Sequence, residues 1–283
     1  MCDSNTFRPG AMTRRGFGAF SSVAFLAACT TTTGDLAGTG VVERAINIAS
    51  PDGTIDGFFY YPASGAHAAA IMWPDVAGIR PASKAMARRL AGEGFAVVLA
   101  NPYYRDVAGQ QFADFAELAE KGFATVAPWR ENHTAQGIAR DARALIAWLD
   151  AQPQVDTGKP VSAAGYCMTG AWPTRAAHAV PSRMGAAASL HGGGLVTQDA
   201  NSPHKQIVAG KRYLYAIAQD DNAKAPGEQS ALSAAADAVD AYAEVTVYPA
   251  DHGWTVPDSP AYDEVQAEAA WARMLAVFTG IGL

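Results

Sequence analysis

Positive charge is scarce in this chain. Its 283 residues carry 21 Lys and Arg against 27 Asp and Glu, a formal net charge of −6. No run of basic residues is longer than two, so the electrostatic footprint that nucleic-acid binding needs is missing. Metal-ligand spacing is missing as well: six histidines and three cysteines form neither a His-x-x-x-His nor a Cys-x-x-Cys pair. The uncharged apolar stretch Phe17–Ala28 falls short of the roughly 20 residues that span a bilayer. Cysteine itself is rare. Cys2 and Cys29 lie near the N-terminus, which leaves Cys167 alone in the body of the chain and excludes an internal disulfide there.

What is present begins with a leader. Arg14-Arg15 stands directly before the apolar stretch, and small residues close it at Leu26-Ala27-Ala28-Cys29. A charged front, a short apolar middle and a small-residue end describe an export signal. The arginine pair is similar to the twin-arginine type, and the ending resembles a bacterial lipobox whose cysteine is lipidated. Residues 1–33 are therefore expected to be an export signal and the start of a tether, and 34–44 a linker. A periplasmic protein anchored to the membrane only through Cys29 follows as the expected localisation.

Residues 45–283 alternate strand and helix signals without a repeat or an internal linker, which predicts one domain. Residues 45–49 and 55–61 read as an antiparallel pair turning at Pro51-Asp52-Gly53. Apolar runs at 68–73, 95–100, 161–164, 185–190, 213–218 and 245–248 read as further strands. Helical spacing predicts helices over 83–92, 134–151, 171–179, 229–242 and 262–279. Such alternation predicts an α/β fold, a mostly parallel central sheet with helices on both faces.

One segment carries chemistry. The strand ending at Ala164 runs into Gly165-Tyr166-Cys167-Met168-Thr169-Gly170 and then into a helix. A glycine two residues before an exposed side chain, at a tight strand-to-helix turn, is the nucleophile elbow of the α/β-hydrolase fold. A helix N-terminus also stabilises a thiolate. Thr169 stands where the common elbow has glycine. Taken alone, a lone cysteine is more often an inert buried residue, but its partners argue otherwise. Asp220-Asp221 follows one predicted strand and His252 the next, in the order nucleophile, acid, histidine. Asp221 is the better acid: it lies three residues after Ala218 and 252 − 221 = 31 residues before His252.

Together, Gly165–Gly170, Asp221 and Asp251–Trp254 resemble the dienelactone hydrolase (carboxymethylenebutenolidase) family, and the likeness runs over about residues 45–280. It includes the segments Trp73–Gly78, Asn101–Arg105 and Pro257–Tyr262. The resemblance implies a hydrolase without a cofactor, opening small esters or lactones through Cys167, His252 and Asp221 by a covalent acyl-enzyme step. It implies that Asp75 takes part in activating the nucleophile, where well-known members have glutamate. It also implies an oxyanion hole from the backbone N–H groups of Val76 and Met168.

Arg105 matches one of two substrate-binding arginines of the family, but Val256 stands where the second is expected. Neutral esters or lactones are therefore expected to serve at least as well as carboxylated ones. Tyr104 and Trp254, with Tyr103 and Trp172, are candidate pocket walls, core packing being the equal alternative. His191, before three glycines, reads as a structural turn residue with a pocket role as the minor alternative. The competing functional class is a lipid-tethered small-molecule binding protein on an inactive hydrolase fold.

Overall fold

A computed structural model of the protein describes residues 33–35 and 40–283. The expected leader up to residue 32, with Cys29, lies outside the described residues. Nine strands among them form one sheet: β1 (Thr33–Asp35), β2 (Val41–Ser50), β3 (Gly53–Pro62), β4 (Ala68–Trp73), β5 (Phe95–Ala100), β6 (Val161–Tyr166), β7 (Met184–Leu190), β8 (Arg212–Ala218) and β9 (Tyr242–Tyr248). The spatial order is β1-β2-β3-β5-β4-β6-β7-β8-β9. β1, β2, β3 and β5 pair antiparallel, and every pair from β5 to β9 is parallel. The sheet takes in Val41, inside the expected linker, where Val41 pairs with Pro62.

The helices are α1 (Pro81–Gly92), α2 (Phe115–Lys121), α3 (Ala127–Arg130), α4 (Ala135–Asp150), α5 (Trp172–Ala179), α6 (Gln219–Lys224), α7 (Glu228–Asp237) and α8 (Glu264–Thr279). Helices α4, α5 and α7 cover one face of the sheet, α1 and α8 the other. Strands buried on both faces must be apolar throughout, which is why β4, β5, β6 and β7 carry almost nothing but apolar and small residues. Helix α4 follows the predicted stripe: Ile138, Ala142, Leu145, Ile146 and Leu149 are buried, and the Thr134 side chain caps it by accepting from the Gly137 N–H. Each leucine so placed stabilises the fold by about 1.5–3 kcal/mol.

Two differences from the sequence reading matter. The helix predicted over 229–242 stops at Asp237, because Asp240 takes a left-handed φ of +54° and Tyr242 opens β9. Asp220 and Asp221, which follow β8 as expected, lie in the first turn of a helix, α6, that the sequence pattern does not predict. The topology also explains where the site must be. The chain leaves β4 toward β5 on one side and reaches β6 on the other, so the carboxyl ends of β4 and β6 form a switch point. Pairing of Trp73 with Gly165 sets the loop after β4 beside the turn after β6.

Candidate active site

The turn after β6 is strained in the way an exposed nucleophile requires. Cys167 has φ of +53°, a left-handed conformation that costs a non-glycine residue about 1–3 kcal/mol. Two glycines make the turn sterically possible. A Cβ on Gly165 would lie 2.2 Å from the Thr169 carbonyl oxygen, and one on Gly170 would lie 2.3 Å from the Gly192 Cα. Thr169 is tolerated because its hydroxyl is used: it accepts from the Tyr166 N–H at 2.9 Å and lies 2.9 Å from the Trp73 carbonyl, to which it donates. That hydroxyl ties the turn to the end of β4.

His252 follows β9 and meets both expected partners. Its Nε2 is 3.0 Å from Cys167 Sγ, and its Nδ1 is 2.5 Å from Asp221 Oδ2. Asp220 acts on the main chain instead, where its Oδ1 accepts from the His252 backbone N–H at 2.8 Å. The adjacent acids thus hold the ring and the backbone of one histidine. The hydrogen bond to Asp221, followed by that to Cys167, raises the His252 pKa to about 10 against the opposing effect of burial. Burial pushes the Asp221 carboxyl up, but His252 and Lys224 outweigh it and leave it below the usual carboxylate value.

A cleft of about 490 Å³ opens over Cys167 and His252, and Val76, Met168, Gly193 and Gly194 help line it. It adjoins a second depression of about 440 Å³, and the two share Arg130, Met168, Gly193 and Gly194. The backbone N–H of Val76, in the loop after β4, has no hydrogen-bond partner among the described residues. A smaller and more apolar hollow lies between α1 and α8, and Cys167 is not part of its wall. Among the described residues, no group of three or more His, Cys, Asp and Glu is placed to hold a metal ion.

The model of the dienelactone hydrolase family matches residues 55–282. The chain belongs to this family. Membership makes it an enzyme of the carboxylic ester hydrolase class. Its fold is shared with a candidate dienelactone hydrolase from Klebsiella pneumoniae subsp. pneumoniae, at 21% identity and TM-score 0.69, covering 84% of this chain and 98% of that one. It is also similar to a dienelactone hydrolase-like promiscuous phosphotriesterase from metagenomic libraries, at 25% identity and TM-score 0.67, covering 86% and 99%. Acetyl xylan esterase 1 from Thermoanaerobacterium aligns at 16% identity and TM-score 0.58, covering 88% and 87%. A search of curated proteins returned no match.

Within this family member, Asp75 and Arg105 fall away from the roles that the resemblance implies, and Tyr104 and Trp254 take the packing alternative to a pocket wall. Asp75 is buried, and both its oxygens are engaged by Arg80, through Nη1 at 2.7 Å and Nη2 at 2.9 Å. It also accepts from the Ala77 N–H, and no hydrogen bond joins it to Cys167. Arg105 does not line the cleft; its Nη2 is held by Asp52 at 2.7 Å and Asp141 at 2.9 Å. Tyr104 belongs to the same cluster, its hydroxyl donating to Asp141. Trp254 is 0% exposed and stacks on Tyr248 behind the site, so it is core.

Two other residues line the cleft wall and a third lines the depression beside it. Arg130, at the end of α3, has no carboxylate partner among the described residues. Phe123, half exposed, lines the mouth, and Trp172 lines the adjoining depression. Trp172 is among the aromatic candidates of the sequence. Arg130 and Phe123 are not, because the segment 113–131 folds as short helices whose few residues show no periodicity. Gly193 and Gly194 are within reach of the sequence, since they follow a strand at the functional edge.

Proposed function

We propose that this enzyme hydrolyses small esters or lactones by a cysteine-centred covalent mechanism. The reading rests on one pair of contacts: a single imidazole touches Cys167 Sγ at 3.0 Å and Asp221 Oδ2 at 2.5 Å. Asp221 keeps His252 protonated, and an imidazolium beside the sulfur stabilises the thiolate. The thiolate attacks the substrate carbonyl carbon, and the carbonyl electron pair moves to oxygen. The N–H groups of Val76 and Met168 receive that oxyanion. Its collapse breaks the bond to the leaving oxygen, which takes the His252 proton and departs as an alcohol. A lactone keeps that alcohol on the same molecule. Water then adds to the thioester while His252 removes its proton, and expulsion of the thiolate releases the acid and restores the pair.

A binding protein on an inactive fold has no use for a strained cysteine, a histidine and an aspartate set in contact. Turnover of p-nitrophenyl acetate by the intact enzyme, with loss in Cys167→Ala, is the direct test. From the leader sequence, Arg14-Arg15 before an apolar stretch that ends at Cys29, we further propose that the enzyme is exported to the periplasm and held there through a lipid on Cys29. Retention of Cys29→Ser in the membrane fraction would contradict that placement.

A further inference from the structure

His191 holds a position that is expensive for its residue type. It follows β7 with φ of +40°, where glycine would be free of strain. Its side chain is buried, and Nδ1 has no hydrogen-bond partner among the described residues, which destabilises the fold further. Its backbone N–H donates to the Ala216 carbonyl of β8, while its ring reaches the loop of His252 and the turn of Cys167. Nε2 is 2.8 Å from Thr255 Oγ1, on the loop that carries His252. Its ring centroid is 5.0 Å from that of His252 at 65°, 5.2 Å from Trp254 and 6.2 Å from Tyr166, the residue before Cys167.

We infer that His191 is a positioning residue, a neutral imidazole that walls one side of His252 and pins its loop through Thr255. The inference rests on the Cys167–His252–Asp221 mechanism proposed above. Wall and pin together leave the His252 ring little freedom except the orientation that spans Cys167 and Asp221. Neutrality is essential, because a charged His191 would set a second cation against the imidazolium. Burial, then the charge of His252, lowers its pKa to about 3, although Asp221 and Asp220 act in the opposite direction.

The test compares three variants in the full enzyme: His191→Ala removes wall and pin, His191→Phe keeps a ring, and Thr255→Val removes only the pin. The readouts are kcat and KM on p-nitrophenyl acetate, and the pH dependence of Cys167 alkylation by iodoacetamide. His191→Ala is expected to lower kcat by about 30-fold with KM within about threefold, and to move the alkylation profile by at least about half a pH unit. His191→Phe is expected to recover most of the rate, and Thr255→Val to lose about threefold with a shift in the same direction. A folded His191→Ala protein with a lower Tm and an unmoved profile would make His191 merely structural and overturn the inference. If the alanine variant does not fold, an unmoved profile in Thr255→Val overturns it equally. Full turnover by Cys167→Ala would instead remove the mechanism itself and this inference with it.

Discussion

Arg80 and Asp75 form a buried pair that binds the loop after β4 to the loop that follows His252. All five guanidinium N–H groups are used: two reach Asp75, two reach Asp258, and Nη1 also reaches the Gly78 carbonyl. Arg80 is 0% exposed and Asp75 3%. Asp258 also accepts from the Phe115 N–H at 3.0 Å, which brings the start of α2 into the same brace. One cation thereby joins three segments around the cleft, and the aspartate expected to activate the thiol is a structural anion.

Asp75→Asn takes away one of the two carboxylates on Arg80 and leaves Asp258, so the loss is that of hydrogen bonds to a charged group, about 1.5–3 kcal/mol. The substitution should therefore lower the unfolding free energy by about that amount in urea titration. Cys167 alkylation at neutral pH should stay within about threefold of the unmodified enzyme. Unchanged stability with a collapsed alkylation rate would return Asp75 to nucleophile activation.

Cys167 is the free cysteine among the described residues, half-buried at the cleft floor. Iodoacetamide should abolish activity in proportion to labelling at this residue. Cys167→Ala should reduce kcat by at least about a thousandfold, the scale for loss of a triad nucleophile. An alanine variant with a third of normal activity would end the proposed mechanism.

The two neighbouring aspartates separate by what they hold. Asp221→Asn removes the carboxylate that keeps His252 charged and oriented, and should cost several orders of magnitude in kcat. Asp220→Asn retains an oxygen to accept the His252 backbone N–H, and should cost less than about fivefold. Because the His252 pKa is raised from 6.5 to about 10, the imidazolium should persist through neutral pH. The stability it contributes is complete below pH 6.5 and is lost as pH rises toward 10. The alkaline limb of kcat should lie near pH 10 in the intact enzyme and move down in Asp221→Asn. Equal losses in the two variants would refute this division.

Substrate charge should follow Arg130, not Arg105. The expectation of neutral substrates treats Arg105 as half of a clamp, but Arg105 is committed to Asp52 and Asp141 away from the cleft. Arg130 is open to solvent along the cleft wall, so a contact with a substrate carboxylate should contribute at most about 1 kcal/mol, roughly fivefold in kcat/KM. Salt should weaken it further. A matched ester pair, with and without a carboxylate, should therefore show a modest anionic preference at low ionic strength that Arg130→Met removes. Arg105→Met should lower both substrates alike through lost stability. Selective loss of the anionic substrate in Arg105→Met would restore the assignment that the resemblance implies.

Much of this protein is legible in local pattern. Apolar runs mark β4 through β8, and the stripe at 138–149 marks α4, because burial on one or two faces leaves a period in the chain. The tight turn after β6 is equally plain, since Gly165 and Gly170 answer steric demands that act within a few residues. Chain order after successive strands then points to Asp221 and His252. The short helices α2, α3 and α6 leave no such trace, and with them go Arg130 and Phe123. Side-chain partnership is decided only by the tertiary structure. Asp75 and Arg80 are close in sequence, but Asp258 arrives from far along the chain and completes the pair. Arg105 is drawn away by Asp52 at the hairpin turn and Asp141 on α4. Charged groups act on whatever the fold brings within a few ångströms, and separation along the sequence does not record that distance.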